Sequence, residues 1–148
     1  MPIKSFRGKL ADGGKDTISL HTNDGSIGYR IKKLDIIDTA PGTGDVELVL
    51  KIYTIPQESA DGAVDFSDQT LLAVAYFADS NSLAYQGIAK NIIFDNMTFN
   101  QDIYITAVDV QATTPTNYYI ELEQVKLSLD QNTVATLKDI RNIEQSSV

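Results

Sequence analysis

Chemistry in this chain would have to run through few side chains. His21 is its only histidine, so a Ser–His–Asp system would have to use it, with Ser19 beside it and Asp16 or Asp24 nearby. Nucleophile, base and orienting acid must converge from separate elements, and neighbours along one strand do not. His21 therefore reads as a solvent-facing strand residue. Glu121 and Glu123 stand two apart, which on a strand puts their Cβ atoms roughly 6.5–7 Å apart on one face. Paired carboxylates at such a distance are the tools of glycoside hydrolysis. Nothing nearby would raise one of the two above the other, since the surroundings are polar and the chain has no tryptophan. A wet strand face is the expected reading.

Metal and phosphate chemistry fare no better. Oxygen ligands cluster in Asp61-Gly62-Ala63-Val64-Asp65-Phe66-Ser67-Asp68 and in Asp79-Ser80-Asn81-Ser82. Calcium takes such ligands, but the glycine and terminal glutamate of the twelve-residue calcium loop are missing. Acidic solubilising loops are expected instead. Gly42 and Gly44 lack the helix and lysine of a phosphate loop, and Asn96-Met97-Thr98 matches a glycosylation sequon only by pattern. Without cysteine there is no disulfide framework, no cysteine zinc site and no thiol nucleophile. The chain is expected to carry no catalytic residue, no cofactor and no metal.

Composition bounds the partners. A chain of 148 residues is most simply one domain with a sizeable core. Its longest apolar run, Leu71 to Ala78, falls far short of the ~20 residues of a membrane helix, and the start MPIKSFRGKL lacks the apolar core of an export signal. A soluble protein without membrane partners is expected. Twelve basic against twenty acidic residues, net −8, argue against nucleic-acid binding. Residues 1–33 hold seven basic and three acidic side chains, net +4, whereas residues 34–148 hold five and seventeen, net −12. A basic end on an acidic body suits repeated head-to-tail or protein-to-lattice contacts.

The elements that must position these residues are short strands. Lys4 to Leu10 carries Phe6, Gly8 and Leu10 on one face, Asp12-Gly13-Gly14 turns the chain, and Asp16 to Thr22 alternates through Ile18 and Leu20. That reads as a hairpin. Ile27, Tyr29 and Ile31 share one parity and Leu34 and Ile36 the other, so a bulge is expected at Lys32-Lys33. Val46, Leu48, Leu50 and Ile52 alternate against Glu47 and Lys51, and Gln57 to Gln69 is a polar loop. Thr70 to Ala78 is apolar at both parities, the mark of a strand covered on both faces. Strands follow near Asn91 to Phe94, over Asp102 to Gln111, and from Asn117 to Leu129 with a register change at Glu123-Gln124. About eight strands without a helix before residue 130 predict an all-β, antiparallel two-sheet sandwich, jelly-roll-like.

The tail differs. After the strand domain, residues 1–129, a helical or extended arm is expected over residues 130–148. Asp130 or Asn132 caps it, Val134, Leu137 and Ile140 form an apolar line, and Lys138 and Arg141 sit near its carboxyl end. About three turns are marginal alone in water, so the arm must pack on its own domain or on a partner. Seven tyrosines suit interfaces or a saccharide platform, and of Tyr118 and Tyr119 only one can enter the core.

The stretches Asn100-Gln101-Asp102-Ile103-Tyr104-Ile105-Thr106, Asn117-Tyr118-Tyr119-Ile120-Glu121-Leu122-Glu123 and Ala135-Thr136-Leu137-Lys138-Asp139-Ile140-Arg141 resemble small virion structural proteins of tailed, especially marine, bacteriophages. The resemblance is best over residues 100–141 and fainter over Gly25 to Leu34. It implies a non-enzymatic capsid decoration or accessory subunit, assembled in the host cytoplasm into the virion. Its partners would be virion or capsid proteins and its own copies, as a trimer or ring. The expected contact residues are Val134, Leu137, Lys138, Ile140 and Arg141 of the arm, with Lys32 and Lys33. The competing expectation is a lectin-like carbohydrate-binding module, calcium-assisted through the acidic loops.

Overall fold

The computed structural model describes residues 2–22, 25–42, 44–80, 88–94, 97–128, 130–131 and 133–137. Eight strands run in the order β1 (Ile3–Leu10), β2 (Lys15–Ile18), β3 (Ile27–Asp38), β4 (Val46–Tyr53), β5 (Leu71–Asp79), β6 (Ile88–Ile93), β7 (Ile103–Asp109) and β8 (Thr116–Lys126). They form two antiparallel sheets, one of order β1-β8-β3 and one of order β2-β7-β4-β5-β6. The described residues between 130 and 137 are helical.

The main core lies between the sheets. Leu10, Ile31, Leu34, Ile120 and Leu122 face it from the three-stranded sheet, and Leu50, Ile52, Ala73, Ile103 and Ile105 from the five-stranded one. Alternation along each strand sends the intervening residues outward. The bulge expected at Lys32-Lys33 is present: the register of β3 against β8 shifts between Ile31 and Lys33. The extra residue flips the inward parity from Ile31 to Leu34, as the apolar pattern requires.

Three expectations are corrected. β1 and β2 do not form a hairpin, because β1 pairs with β8 and β2 with β7 in the other sheet. The turn at Gly13, φ 76°, carries the chain from one sheet to the other, tied by Gly13 N–H to the Ala107 carbonyl and Ala107 N–H to the Gly14 carbonyl. Turn residues encode a reversal, not a partner. β8 keeps a continuous register on β3 through Glu123-Gln124 and ends at Lys126. Its later apolar residues, Val125 and Leu127, belong to the neighbourhood of the helix rather than to a second bulge.

Lys51 is the third. It shares the outward parity of β4 with Val49 and Tyr53, where a wet face was expected, yet it is buried. That face carries a second apolar cluster of Val49, Tyr53, Leu71 and Val74, joined by Tyr76, Phe94 and Val108. Residues 56–70 fold back across it. Lys51 Nζ donates to Asp61 Oδ1 at 2.8 Å and to the Ala63 carbonyl, and Lys15 Nζ donates to the carbonyls of Gln57 and Glu58. Gly62 lies so close to Val110 that a Cβ there would approach its Cγ1 to 2.5 Å. The loop is thus a cover, which explains why β5 is apolar at both parities.

Candidate functional site

The outer face of the three-stranded sheet collects five of the seven basic residues before residue 34, because β1 and β3 flank β8, while Lys15 lies on β2 and Lys4 over Tyr29. Cross-strand rows run Ser5–Glu121–Lys33, Arg7–Tyr119–Asp35 and Lys9–Asn117–Ile37, with Arg30 opposite Glu123 beyond them. Five cations (Arg7, Lys9, Arg30, Lys32, Lys33) meet three carboxylates (Asp35, Glu121, Glu123) on this face, net +2. The rest of the chain then carries −10, since the total is −8. Lys32 Nζ pairs with Glu123 at 3.3 Å, and Lys33 Nζ pairs with Asp35 at 3.5 Å while lying 5.9 Å from the centre of the Tyr119 ring. Among the described residues no carboxylate pairs with Arg7 or Lys9. Both border an open groove of about 750 Å³ with Asp35, Ile37, Asn117 and Tyr119.

Beneath that groove Tyr118 turns inward. Its hydroxyl donates to Asp16 Oδ2 at 2.8 Å, and burial together with that carboxylate pushes the phenol well above its ordinary pKa. Gly8 sits opposite it in the register, where a Cβ would meet the Tyr118 hydroxyl at 2.7 Å. The tyrosine pair thus divides as alternation demands, Tyr118 into the core and Tyr119 onto the surface.

The helical segment is held to the sandwich by a polar bond. Asn100, fully buried, donates through Nδ2 to the Gly25 carbonyl and to Thr136 Oγ1 at 2.9 Å. Val134 and Leu137 remain 67% and 59% exposed. A second groove, of about 420 Å³, runs between the helix and the sheet, lined by Arg30, Thr98, Val125, Leu127, Val134 and Ala135. Lys138, Ile140 and Arg141 lie outside the described residues, so the structure brings together Val134 and Leu137 of the expected arm set. Lys32 and Lys33 are on the outer sheet face, each in an ion pair.

The candidate chemical groups resolve into supports. His21 Nδ1 lies 2.7 Å from Asp102 Oδ1, which also accepts the N–H groups of Leu20 and His21. Burial would raise the Asp102 pKa, but the His21 ring and those N–H donors outweigh it and hold the carboxylate below its ordinary range. The partner is eighty-one residues from His21, out of reach of sequence proximity. Asp65 and Asp68 accept the N–H and hydroxyl groups of Ser67 and Thr70, and Asp61 is taken by Lys51, so the carboxylates of residues 61–68 serve their own loop. Asp109 accepts four backbone N–H groups, from Glu47, Gln111, Ala112 and Thr114. Among the described residues no group of three or more acidic or histidine side chains is arranged to hold a metal. No described helix is long and apolar enough to cross a membrane.

Sequence reasoning missed Lys51 and Asn100. The signal for Lys51 was present: Val49 and Tyr53 flank it at its own parity, which marks a covered face. Asn100 carried none, because its partners are Gly25 and Thr136. Comparison with protein-family models returns no match, and comparison with curated proteins returns none either.

Proposed function

We propose that the chain is a non-enzymatic structural subunit of a phage particle, a capsid decoration or accessory protein that binds other virion proteins through the segment following its β domain. The observation that carries this reading is the pair Val134 and Leu137, largely exposed on a helical segment that is anchored through Thr136 to Asn100. Leaving two large apolar side chains in water forgoes roughly 1.5–3 kcal/mol each of burial, which a partner surface would recover. The strand domain reads as a jelly roll. The orders β1-β8-β3 and β2-β7-β4-β5 support that reading; β6 departs from it by pairing with β5, although it also lies near β3, with Asn91 Nδ2 donating to Asp35 Oδ1 at 3.0 Å. The resemblance over residues 100–141 supports the same setting.

The variant pair Val134→Ser and Leu137→Ser tests the contact. Both positions are exposed, so the fold stays within about 0.5 kcal/mol of the parent. Incorporation into particles should fall at least tenfold in a competition with the parent chain. Unchanged incorporation would remove the arm from the interface. The lectin-like reading draws on the groove at Tyr119, and glycan-array binding lost in Tyr119→Ala would favour it instead.

A further inference from the structure

The two broad sides of this domain are opposite in charge and alike in apolar relief. On one side, the outer face of β1-β8-β3 is net positive, and Arg7 and Lys9 stand without carboxylate partners among the described residues. Beside them Ile37 is 48% and Tyr119 36% exposed. On the other side, residues 56–70 cover the five-stranded sheet with four carboxylates, Glu58, Asp61, Asp65 and Asp68, and no lysine or arginine of their own. Asp61 is paired with Lys51, and the Lys15 ammonium lies on the carbonyls of Gln57 and Glu58, so the cover together with these two lysines is net −2. Within the cover Val64 and Phe66 flank Asp65, 45% and 53% exposed. Phe66 stands edge-on to Phe94, ring centres 5.4 Å apart. Lys51 and Lys15 clamp the loop from below, so this ridge is held in shape before any partner arrives.

We propose that copies of this chain associate front to back, the Val64-Asp65-Phe66 ridge of one seating in the Arg7–Lys9–Tyr119 groove of the next. The occupant is a second copy because a single chain supplies both halves of the match: an acid flanked by apolar side chains, and a groove of about 750 Å³ in which Arg7 and Lys9, without carboxylate partners among the described residues, border an aromatic ring, an isoleucine and Asp35, itself paired with Lys33. Asp65 Oδ1 already accepts from the Ser67 N–H and hydroxyl, so Arg7 would donate to Oδ2, and the flanking apolar groups shield that pair from water. The two patches are different surfaces of the chain. The contact is therefore heterologous, and it propagates into a ring when the rotation closes and into an open stack when it does not. A two-fold dimer is not what it makes. This inference deepens the particle-subunit reading and rests on it for the setting alone, because the contact is measurable in the purified chain without particles or arm.

Sedimentation of the purified full chain across protein concentration, at low salt and at about 1 M salt where screening reaches ~3 Å, is the test. The parent should form species beyond dimers at low salt and dissociate at high salt. Arg7→Glu and Asp65→Lys should each reduce association at least tenfold. Mixing the two variants should restore it, since each then offers the complement the other needs. Phe66→Ser, which leaves every charge in place, should weaken association too. It guards against Asp65→Lys acting only through loss of the cap on Ser67. A parent that stays monomeric at every concentration, a closed two-fold dimer, or variants that associate as the parent does would overturn the proposal. So would a groove that binds acidic saccharides while the chain remains monomeric. Failure of particle incorporation in the Val134 and Leu137 variants, with association intact, would count against the arm and not against this contact.

Discussion

Removing the exposed member of the Lys51–Asp61 pair should harm the fold more than removing the buried one. The Lys51 side chain is 4% exposed and that of Asp61 65%. In Asp61→Ala the ammonium stays under the loop with the Ala63 carbonyl and the Tyr53 ring as remaining company, the ring centre 5.6 Å away. Stranding a buried charge costs roughly 3–5 kcal/mol when no partner is left, and the residual contacts bring this to about 2–4 kcal/mol. In Lys51→Met the aliphatic stem survives, Asp61 returns to water without penalty, and the lost bonds are net worth about 1–2 kcal/mol. Desolvation of the ammonium also disappears, so the loss should be about 1 kcal/mol or less. For a chain of this length the midpoints should fall by roughly 4–16 °C for Asp61→Ala and by no more than about 4 °C for Lys51→Met. The double variant should match Lys51→Met, because no ammonium is left to strand. Thermal unfolding followed by circular dichroism reads all three. Burial lowers the Lys51 pKa, but the bonds to Asp61 and Tyr53 outweigh it and hold the ammonium above its ordinary range, while Lys51 holds Asp61 below its own. The contribution of the pair is therefore full between about pH 4 and 10 and lost outside that window. A Lys51→Met midpoint lower than that of Asp61→Ala would refute the reasoning.

Asp109→Ala strips the acceptor from four N–H groups and should cost about 3–5 kcal/mol, measured by chemical denaturation; a loss under 1 kcal/mol would mean that water replaces the carboxylate. Gly8→Ala drives a Cβ to 2.7 Å from the Tyr118 hydroxyl and should cost about 1–3 kcal/mol, partly recovered when Tyr118→Phe is added. The ring carbons Cζ and Cε1 remain at 2.9 and 3.0 Å, so a Gly8→Ala cost that survives Tyr118→Leu as well would place the strain elsewhere. Asp38 is raised, chiefly by burial and also by Asp79 and Asp109, against the Ala40 N–H that lowers it. A carboxyl whose folded pKa lies above its unfolded one loses stability as pH rises from about 4 toward neutrality, so Asp38→Asn should raise the melting midpoint at pH 7 and leave it little changed below pH 4.

Much of the fold was legible because burial leaves period-two traces. The parity switch from Ile31 to Leu34 announced the bulge, and the two-sided apolarity of Leu71 to Ala78 announced a strand with covers on both faces. What covered it was not legible, since residues 56–70 are polar in composition and act through Lys51 and backbone carbonyls. Partner choice was also hidden: Asp12-Gly13-Gly14 reads the same whether the chain returns beside itself or crosses to another sheet. In the candidate site the tail stood out by its change of period; Val134 and Leu137 are exposed, and Ile140 of the same line lies outside the described residues. The outer basic face was half visible, as an excess of cations before residue 34. Only pairing of β1 and β3 to β8 brought five of those seven cations onto one surface.

The central claim is that this chain is a structural part of a phage particle. Gradient purification of particles from a host producing this chain, followed by quantitative mass spectrometry across the fractions, tests it directly. The account predicts that the chain bands with the coat proteins at a fixed ratio to them through repeated purification. A chain found only in the unassembled fractions would contradict it.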